Sequence, residues 1–596
     1  MPKTPAMHFI RIKKAIAFSI TAIVALSVFL YACQKELNGN SLSQQAPDLT
    51  KKVFSSVSGF VTDENDGAVN GAVVSMGGTN TTTDKYGFFE INNVPVVEEA
   101  AVVTVVQPAY FKGIKTYIAT AGKSAFFRIK LIPKLSAGAI DAAAGGNITL
   151  PTGLTISFPA NAIVNAATNS AYTGNVNVAA KWIDPVSDEL NRIMPGDLRG
   201  LDSLGNAKLL TTYGMAAVEL TGGAGELLQI TAGKKATLTI PLPAGIATSA
   251  PATIPLWYFD ETTGLWKQEG MAVKSGNNYV GQVGHFSYWN CDVPANYIRF
   301  NCTITNAKGV PVQNVLVKIS VVGNPQSAGR GYTDSAGYTG GAIPNNAKLL
   351  LEVFSEFNCS TPLYSQNFTT TNADVALGNL KVPNASIADI TGDIVDCNNA
   401  PVNNGYVIMN KTGTNYRYRV GKNGAFSFST PLCLGNTPIT FSAEDYNTFQ
   451  GSKPIPVTLV QGTNFIGSLN ACGITIQEFI NYSVNGTSYF ISAPDVAQSS
   501  ANLPNVNVKG YSNANSAAFY FAAPGIAAGS TGSLIYFNTR QIADSTQMLS
   551  PVSVNITEYG AVGGFLAGNF SGTFTGTPPA NTPYNVTCRF RVKRSQ

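Results

Sequence analysis

The chain has 596 residues, and 12% of them are charged, about half of the roughly 25% usual in globular proteins. This length predicts about four to six domains. Four of the positive charges, on Lys3, Arg11, Lys13 and Lys14, precede the first apolar run, so the remainder carries +1 of the formal net charge of +5. This balance excludes nucleic acid as a partner, because binding a phosphate backbone needs clustered basic residues.

Turn-forming and β-branched residues dominate the composition, whereas the periodicity of amphipathic helices is scarce. The pattern predicts an all-β fold, a string of antiparallel β-sandwich domains that follows a secretory leader.

Residues 1–32 have the layout of a signal peptide. A basic stretch ends at Lys14, and the uncharged run AIAFSITAIVALSVFLYA leads to Cys33. An uncleaved transmembrane anchor is the alternative, since 18 apolar residues nearly span a bilayer. The sequence Leu30-Tyr31-Ala32-Cys33 resembles the bacterial lipobox, and this resemblance implies a lipoprotein in which Cys33 is the acylated first residue of the mature chain.

Residues 33–52 are polar and rich in turn formers, which predicts a flexible lipidated tether. The segment Gln34-Lys35-Glu36 resembles the charged export signals of Bacteroidetes surface lipoproteins. The resemblance implies an outer-membrane lipoprotein of a bacterial cell envelope, held by its acyl chains, with surface display as a further expectation.

Residues 53–134 contain SGFVTDENDGAVNGAVVSMGGTNTTTDKYGFFEINNVP. Its glycine-started strand and its T-D-x-x-G-x-F hairpin resemble the carboxypeptidase regulatory-like domain, a small transthyretin-like β-sandwich. The same order recurs in residues 293–384, with Asp334 and Gly337 in the hairpin, and in weaker form in residues 385–473, where Gly421 replaces the aspartate. In carboxypeptidases this module carries no catalytic residue, so the resemblance implies a spacer or binding module.

Calcium binding by Asp63, Asp66 or Asp84 is an alternative role for these turns. The DENDG segment lacks the alternating ligands and the distal glutamate of a helix–loop–helix site. We therefore expect ordinary turn hydrogen bonds.

Residues 135–292 hold all four tryptophans. The opening GGNITLPTGLTISFPANAIV and the closing HFSYW resemble the ZU-type β-sandwich of ankyrins and netrin receptors, and the second half resembles cartilage intermediate layer proteins. These resemblances imply a larger β domain in the centre of the chain.

The closing segment His285-Phe286-Ser287 supports one chemical hypothesis. Some ZU-type domains cut their own backbone at a His-Phe-Ser sequence, and the resemblance implies that Ser287 Oγ attacks the Phe286 carbonyl while His285 transfers the proton. Strain in a tight turn would offset part of the activation barrier to this attack. The alternative is that the aromatic residues of this segment fill the core.

His285 is the single histidine of the mature chain, because His8 lies in the leader. A zinc site with several histidines is therefore excluded. No C-x-x-C pair occurs and no pair of carboxylates stands out for glycosidase chemistry, so the sequence predicts neither a metal site nor a cofactor.

Seven cysteines follow Cys33, and an exported compartment permits disulfides. Candidate pairs within one repeat are Cys302 with Cys359 and Cys397 with Cys433. The spacing leaves the connectivity open, and the odd number leaves at least one thiol without a partner in the chain.

Residues 474–596 alternate again between apolar and polar positions, which predicts a C-terminal β-sandwich or barrel that ends in an edge strand. The basic residues of that strand either face a charged glycan or lipid, or guard a solvated edge against aggregation. They are Arg589, Arg591, Lys593 and Arg594.

These patterns predict a lipid-anchored envelope protein that is a structural or binding module for adhesion or glycan recognition, and not a conventional enzyme. The expected partners are the membrane, through the lipid anchor, and a glycan or an extracellular protein. Tyr406, Tyr416 and Tyr418 are candidates for stacking on sugars, although strand aromatics also serve cores and cross-strand pairs. The alternative function is self-processing between Phe286 and Ser287.

Overall fold

The computed structural model describes residues 46–594 except 356–360, 384–386, 412, 433–438, 449, 477, 493–497, 503–504, 513–516, 525–526, 543–546, 561–564 and 577–581. The predicted leader, the predicted acylation site Cys33 and most of the predicted tether lie outside the described residues. The fold is all-β, as predicted, and Pro47–Gln596 forms one compact unit. Among the residues that the structure describes, no helix is both long and apolar enough to cross a membrane.

The first repeat, residues 52–130, is a sandwich of a three-stranded and a four-stranded sheet. Val57, Val74, Phe89 and Val103 belong to the apolar core between the two sheets. The strands are β1 (Lys52–Thr62), β2 (Val73–Met76), β3 (Thr79–Thr82), β4 (Phe88–Val97), β5 (Ala101–Val106), β6 (Gly113–Tyr117) and β7 (Ser124–Lys130). β1 lies in the middle of the smaller sheet, antiparallel to β4 and parallel to β7, and the larger sheet has the order β3-β2-β5-β6.

The central sheet, residues 136–295, joins thirteen strands around a large core that includes Trp289 and Phe286. Two four-residue helices, Leu190–Ile193 and Ala244–Ala247, interrupt the strands. The strands are β8 (Ser136–Asp141), β9 (Gly146–Thr149), β10 (Thr155–Phe158), β11 (Ile163–Asn165), β12 (Asn175–Ile183), β13 (Arg199–Leu201), β14 (Ala207–Thr221), β15 (Leu227–Ile230), β16 (Ala236–Pro241), β17 (Thr253–Asp260), β18 (Leu265–Ser275), β19 (Asn278–Val283) and β20 (Tyr288–Ala295).

The second repeat, residues 297–381, has the same strand order as the first. Its sheets run β24-β21-β27 and β23-β22-β25-β26, with β21 parallel to β27. The strands are β21 (Tyr297–Thr305), β22 (Leu316–Val321), β23 (Asn324–Tyr332), β24 (Tyr338–Pro344), β25 (Lys348–Phe354), β26 (Tyr364–Thr369) and β27 (Val375–Lys381).

The third repeat, residues 387–475, keeps this order as well. One sheet runs β31-β28-β35 and the other begins β30-β29-β32. The elements are β28 (Ile387–Val395), β29 (Gly405–Lys411), β30 (Thr414–Arg419), a 3₁₀ helix (Lys422–Gly424), β31 (Ala425–Pro431), β32 (Ile439–Asp445), β33 (Gln450–Gly451), β34 (Ile455–Val457), β35 (Gly462–Asn470) and β36 (Ile474–Thr475). The repeat seen in the sequence is thus a repeated topology.

The C-terminal sheet, residues 479–594, has eleven strands. They are β37 (Phe479–Val484), β38 (Thr487–Ser492), β39 (Gln498–Asn502), β40 (Asn505–Ser512), β41 (Ala517–Pro524), β42 (Thr531–Ser533), β43 (Tyr536–Thr539), β44 (Gln547–Met548), β45 (Ser553–Tyr559), β46 (Phe565–Thr575) and β47 (Pro583–Arg594). The prediction of a terminal edge strand is wrong, because β47 pairs with β46, β37 and β39. An ion pair of Arg591 with Glu558, 2.7 Å long, neutralises one of the basic residues inside the sheet.

Two turns of the first repeat are each capped by an aspartate through the same pair of backbone hydrogen bonds, and one of these turns recurs in the second repeat. Oδ1 of Asp84 accepts from the backbone N–H groups of Tyr86 and Phe88. Oδ1 of Asp334 accepts in the same way from the backbone N–H groups of the residues two and four positions after it. Asp63 caps the other turn of the first repeat in the same way. Asp66 lies in that turn with a φ of 64°. The expectation of turn hydrogen bonds is confirmed for Asp63 and Asp84, whereas the Asp66 carboxylate forms ion pairs with Arg192 and Lys130.

Candidate functional site

The predicted His285-Phe286-Ser287 motif lies in the loop between β19 and β20. The Phe286 side chain is buried in the core of the central sheet, where its ring centre lies 5.5 Å from that of Phe158. The His285 ring is half-buried, and its centre is 4.6 Å from the ring of Tyr258. Aromatic packing therefore accounts for much of the motif, as the structural alternative predicted.

Gln229, on strand β15, forms hydrogen bonds with both backbone groups of Phe286. Its Nε2 donates to the Phe286 carbonyl oxygen at 2.8 Å, and the Phe286 N–H donates to its Oε1 at 2.7 Å. A donor on this carbonyl would stabilise negative charge developing on the oxygen during attack. The sequence provided no signal for this contact, because Gln229 is 57 residues from Phe286.

The proton-transfer partners are not engaged with each other. Ser287 Oγ donates to the Tyr288 carbonyl at 3.2 Å, and no hydrogen bond joins it to His285 in the described part of the chain. Burial lowers the pKa of His285, and the negative charge of Glu269, 3.8 Å from Nε2, opposes this shift. None of the three motif residues has a positive φ, so the backbone strain expected for cleavage is not found in this loop.

The proposed sugar-stacking tyrosines of the third repeat are mostly inaccessible. Tyr416 and Tyr418 are buried, and the Tyr418 ring stacks on Phe428 with 3.5 Å between ring centres. Tyr406 is half-buried and lies over the guanidinium of Arg417 at 3.6 Å. The stacking hypothesis is therefore wrong for Tyr416 and Tyr418, because both serve the core of their own sandwich.

Another pair of tyrosines lies on the surface of the C-terminal sheet. Tyr520 on β41 and Tyr536 on β43 are both exposed, and their ring centres are 5.5 Å apart. Tyr520 donates to Asn507 Oδ1 at 3.2 Å, and Asn538 Nδ2 donates to the Tyr536 hydroxyl at 3.1 Å. Two adjacent aromatic faces beside amide groups can stack on sugar rings and bond their hydroxyls. Sequence patterns did not single out these tyrosines, because Tyr520 lies between two phenylalanines and Ile535 beside Tyr536 is also exposed.

A buried cluster of charges connects the hairpin of the first repeat to the third repeat. Asp84 forms an ion pair with Arg417 on β30, whose guanidinium also lies 4.6 Å from the Phe88 ring. Glu444 on β32 accepts from Lys85 Nζ at 2.6 Å and from the Tyr86 hydroxyl at 3.0 Å. The residues DKYGF are therefore both a turn and a joint between two sandwiches. Their sequence indicated only the turn.

The structure changes the expected cysteine pairing. Cys397 forms a disulfide with Cys472, 75 residues away, so its pairing with Cys433 is wrong. Cys302 is a buried free thiol, which also rules out its pairing with Cys359. Cys359 and Cys433 lie outside the described residues. The bridge instead ties the segment after β28 to the segment after β35, two strands that run parallel in one sheet.

In the parts of the chain that the structure describes, no three histidine, cysteine, aspartate or glutamate side chains are close enough together to hold a metal ion.

Comparison with known proteins gives partial similarities. No family model matches the chain. Cartilage intermediate layer protein 2 of Mus musculus is 31% identical over 205 residues, which is 33% of this chain and 17% of the mouse protein. The Homo sapiens protein is 30% identical over 141 residues, 23% of this chain and 11% of its own length. The chain thus spans only a small part of the length of these relatives. The similarity agrees with the predicted resemblance to cartilage intermediate layer proteins.

Among solved structures, a streptococcal ancillary pilin is 10% identical and covers 39% of this chain and 96% of its own, with a TM-score of 0.15. The shaft pilin SpaA from Lactobacillus rhamnosus GG is 12% identical and covers 30% of this chain and 99% of its own, with a TM-score of 0.16. The Bacillus anthracis TIE protein is 12% identical and covers 62% and 70%, with a TM-score of 0.14. Scores this low carry no argument about function.

Proposed function

We propose that this chain is a lipid-anchored protein of a bacterial cell envelope that acts as a structural and glycan-binding module. The observation that carries the binding role is the exposed pair Tyr520 and Tyr536, flanked by Asn507 and Asn538. The compact unit Pro47–Gln596, with its charged joint between repeats, suits a protein that presents such a face rigidly. The proposal assigns no conventional enzymatic activity.

A glycan and matrix-protein array tests the binding role on the full-length protein. Tyr520→Ala and Tyr536→Ala should each weaken binding about fivefold, since stacking on an exposed aromatic face contributes on the order of 1 kcal/mol. Phe465→Ala is the matched control, because Phe465 is 76% exposed on β35 of the third repeat. Equal effects of all three variants, or no binding of the wild type, would contradict the binding role and favour a purely structural module.

Metabolic labelling with radioactive palmitate tests the anchor. We expect label on the wild type and on Cys302→Ser, and none on Cys33→Ser. Label retained by Cys33→Ser would refute acylation at this residue.

Self-processing between Phe286 and Ser287 is the second candidate, favoured by the hydrogen bond from Gln229 Nε2 to the Phe286 carbonyl. It predicts a fragment beginning at Ser287 in purified protein, which Ser287→Ala and Gln229→Ala should each reduce. A single intact band from the wild type after prolonged incubation would eliminate this candidate.

A further inference from the structure

A cavity of about 240 Å³ lies where the first repeat, the central sheet and the second repeat meet. Lys115 and Arg128 line it from the first repeat, Thr212 from the central sheet, and Tyr332 and Ile343 from the second repeat. A ligand here would contact three β-sheet regions at once. The cavity does not include the tyrosine pair or the His285 loop.

The charged residues of the cavity wall are mostly cationic. Lys115, Lys123, Arg128 and Arg330 line it, and Asp197 is the one carboxylate among its lining residues. The chain after its basic leader is otherwise almost neutral, so this excess is local. Asp197 offsets only part of this excess, because its carboxylate also pairs with Arg199 at 2.7 Å.

Three of these cations have no carboxylate partner. Arg330 pairs with Asp188 at 2.6 Å, whereas Lys115, Lys123 and Arg128 form no ion pair with any described residue. Lys115 Nζ instead donates to two backbone carbonyls at 2.7 Å each. Burial lowers the pKa of Lys115 to about 7, so at neutral pH the unpaired positive charge of the cavity lies mainly on Lys123 and Arg128.

Arg128 is enclosed by aromatic rings. Its guanidinium carbon lies 4.9 Å from the ring centre of Tyr416, 5.1 Å from Phe60, 5.7 Å from Phe126 and 5.9 Å from Tyr332. Its Nη2 is buried without a hydrogen-bond partner among the described residues. The rings hold the cation through their negative faces, but they satisfy no N–H group. Such a cation is normally completed by an anion.

We propose that this cavity binds a small organic anion, no larger than one acidic sugar unit, whose carboxylate is attracted by Arg128 and Lys123. The volume sets the size, since pockets for drug-sized ligands measure about 300–1,000 Å³. The aromatic rings of the wall suit the less polar face of a sugar ring. The choice of a sugar acid rests on the proposed glycan-binding role, but the site is separate from Tyr520 and Tyr536.

Isothermal titration of the full-length protein in detergent micelles tests this inference. The probes are D-glucuronate, the neutral D-glucose as its uncharged match, and sodium sulfate. We expect glucuronate to bind at least about tenfold more tightly than glucose, and Arg128→Gln to weaken it about tenfold, because a hydrogen bond to a charged group is lost. Arg419→Gln is the control, since the Arg419 side chain is 59% exposed and lies outside the cavity.

Lys123→Gln provides a second variant should Arg128→Gln fail to fold, because Lys123 is exposed and its replacement leaves the core intact. It should weaken glucuronate binding several-fold. Equal affinity for glucuronate and glucose, binding of sulfate alone, or no loss in either cavity variant would overturn the proposal. Failure of the tyrosine variants on the array with retained glucuronate binding would refute the proposed glycan face and leave the cavity site standing.

Discussion

The first and second repeats have one topology and one hairpin turn, yet their surroundings differ. In both, an aspartate Oδ1 accepts the same two backbone N–H bonds. The second oxygen of Asp84 meets the buried guanidinium of Arg417, whereas that of Asp334 accepts a bond from the neutral hydroxyl of Ser124 at 2.7 Å. The turn is a local structure, and its second role depends on which sandwich packs against it.

The sixth strand shows the same contrast. Lys115 on β6 is 3% exposed, and it donates to the carbonyls of Asn191 in the Leu190–Ile193 helix and of Met194 after it. The corresponding strand of the second repeat, β26, is likewise the edge of its sheet, but its residues alternate between half-buried and exposed. Equivalent strands therefore differ in electrostatics even though they share a backbone pattern. Four experiments can break or sharpen this comparison.

The largest effect is expected for Arg417→Met. Burial raises the pKa of Asp84 and the charge of Arg417 opposes this, so the variant leaves Asp84 buried without its cation. We expect a loss of about 3–5 kcal/mol in the stability of the first and third repeats at neutral pH. Because a raised folded-state pKa makes protonated Asp84 the favoured form, the deficit should shrink as the pH falls. Hydrogen exchange of β1–β7 measures it, and Arg419→Met should cost less than about 1 kcal/mol.

Lys115 should make the stability of the first repeat depend on pH in the alkaline range, and the second repeat should lack this dependence. Burial, then the charge of Arg192, lowers the pKa of Lys115 to about 7, while Asp197 opposes the shift. The unfolded chain binds a proton here up to about pH 10, so stability contributed by this group rises between about pH 7 and pH 10, by at most about 1.4 kcal/mol per pH unit. The stability difference between wild type and Lys115→Met should follow this slope. A flat difference would contradict the assignment.

Gly87→Ala and Gly337→Ala should cost nearly the same. Both glycines have a positive φ, 74° and 72°, and a Cβ would lie 2.2 Å from the Val61 carbonyl oxygen in one repeat and 2.3 Å from that of Ile304 in the other. We expect each variant to lose about 2 kcal/mol or more, because the strain is local to the turn. Thermal denaturation measures both, and a clear inequality would show that tertiary contacts reach even the turn backbone.

Asp84→Asn and Asp334→Asn should differ by about 1–2 kcal/mol, the smallest effect of the four. Asparagine keeps the Oδ1 acceptor of the turn in both repeats, but it removes the charge that Arg417 needs. Asp334→Asn loses no ion pair, since its outside partner is Ser124. Comparing the hydrogen exchange of β4 and β24 in the two variants separates the turn from the joint, and equal protection would remove the distinction drawn between them.

The all-β class and the repeated module could be predicted because they rest on short-range patterns. Alternating strands and turn residues recur at regular spacing along the chain. The assignment of Tyr416 and Tyr418 to the surface failed since one face of their strand packs within the third repeat. The interior position of β47 and the partner of Cys397 also depend on strands distant in sequence.

The sequence by itself determined the turns of this protein. An aspartate can reach the N–H groups two and four residues ahead, and only glycine fits the positive φ beside a carbonyl, so a few adjacent residues suffice. Tertiary structure alone decided that one of these turns, DKYGF, also joins two sandwiches. Asp84 and Arg417 are 333 residues apart, and their contact exists only because the first and third repeats pack together and exclude water from the pair.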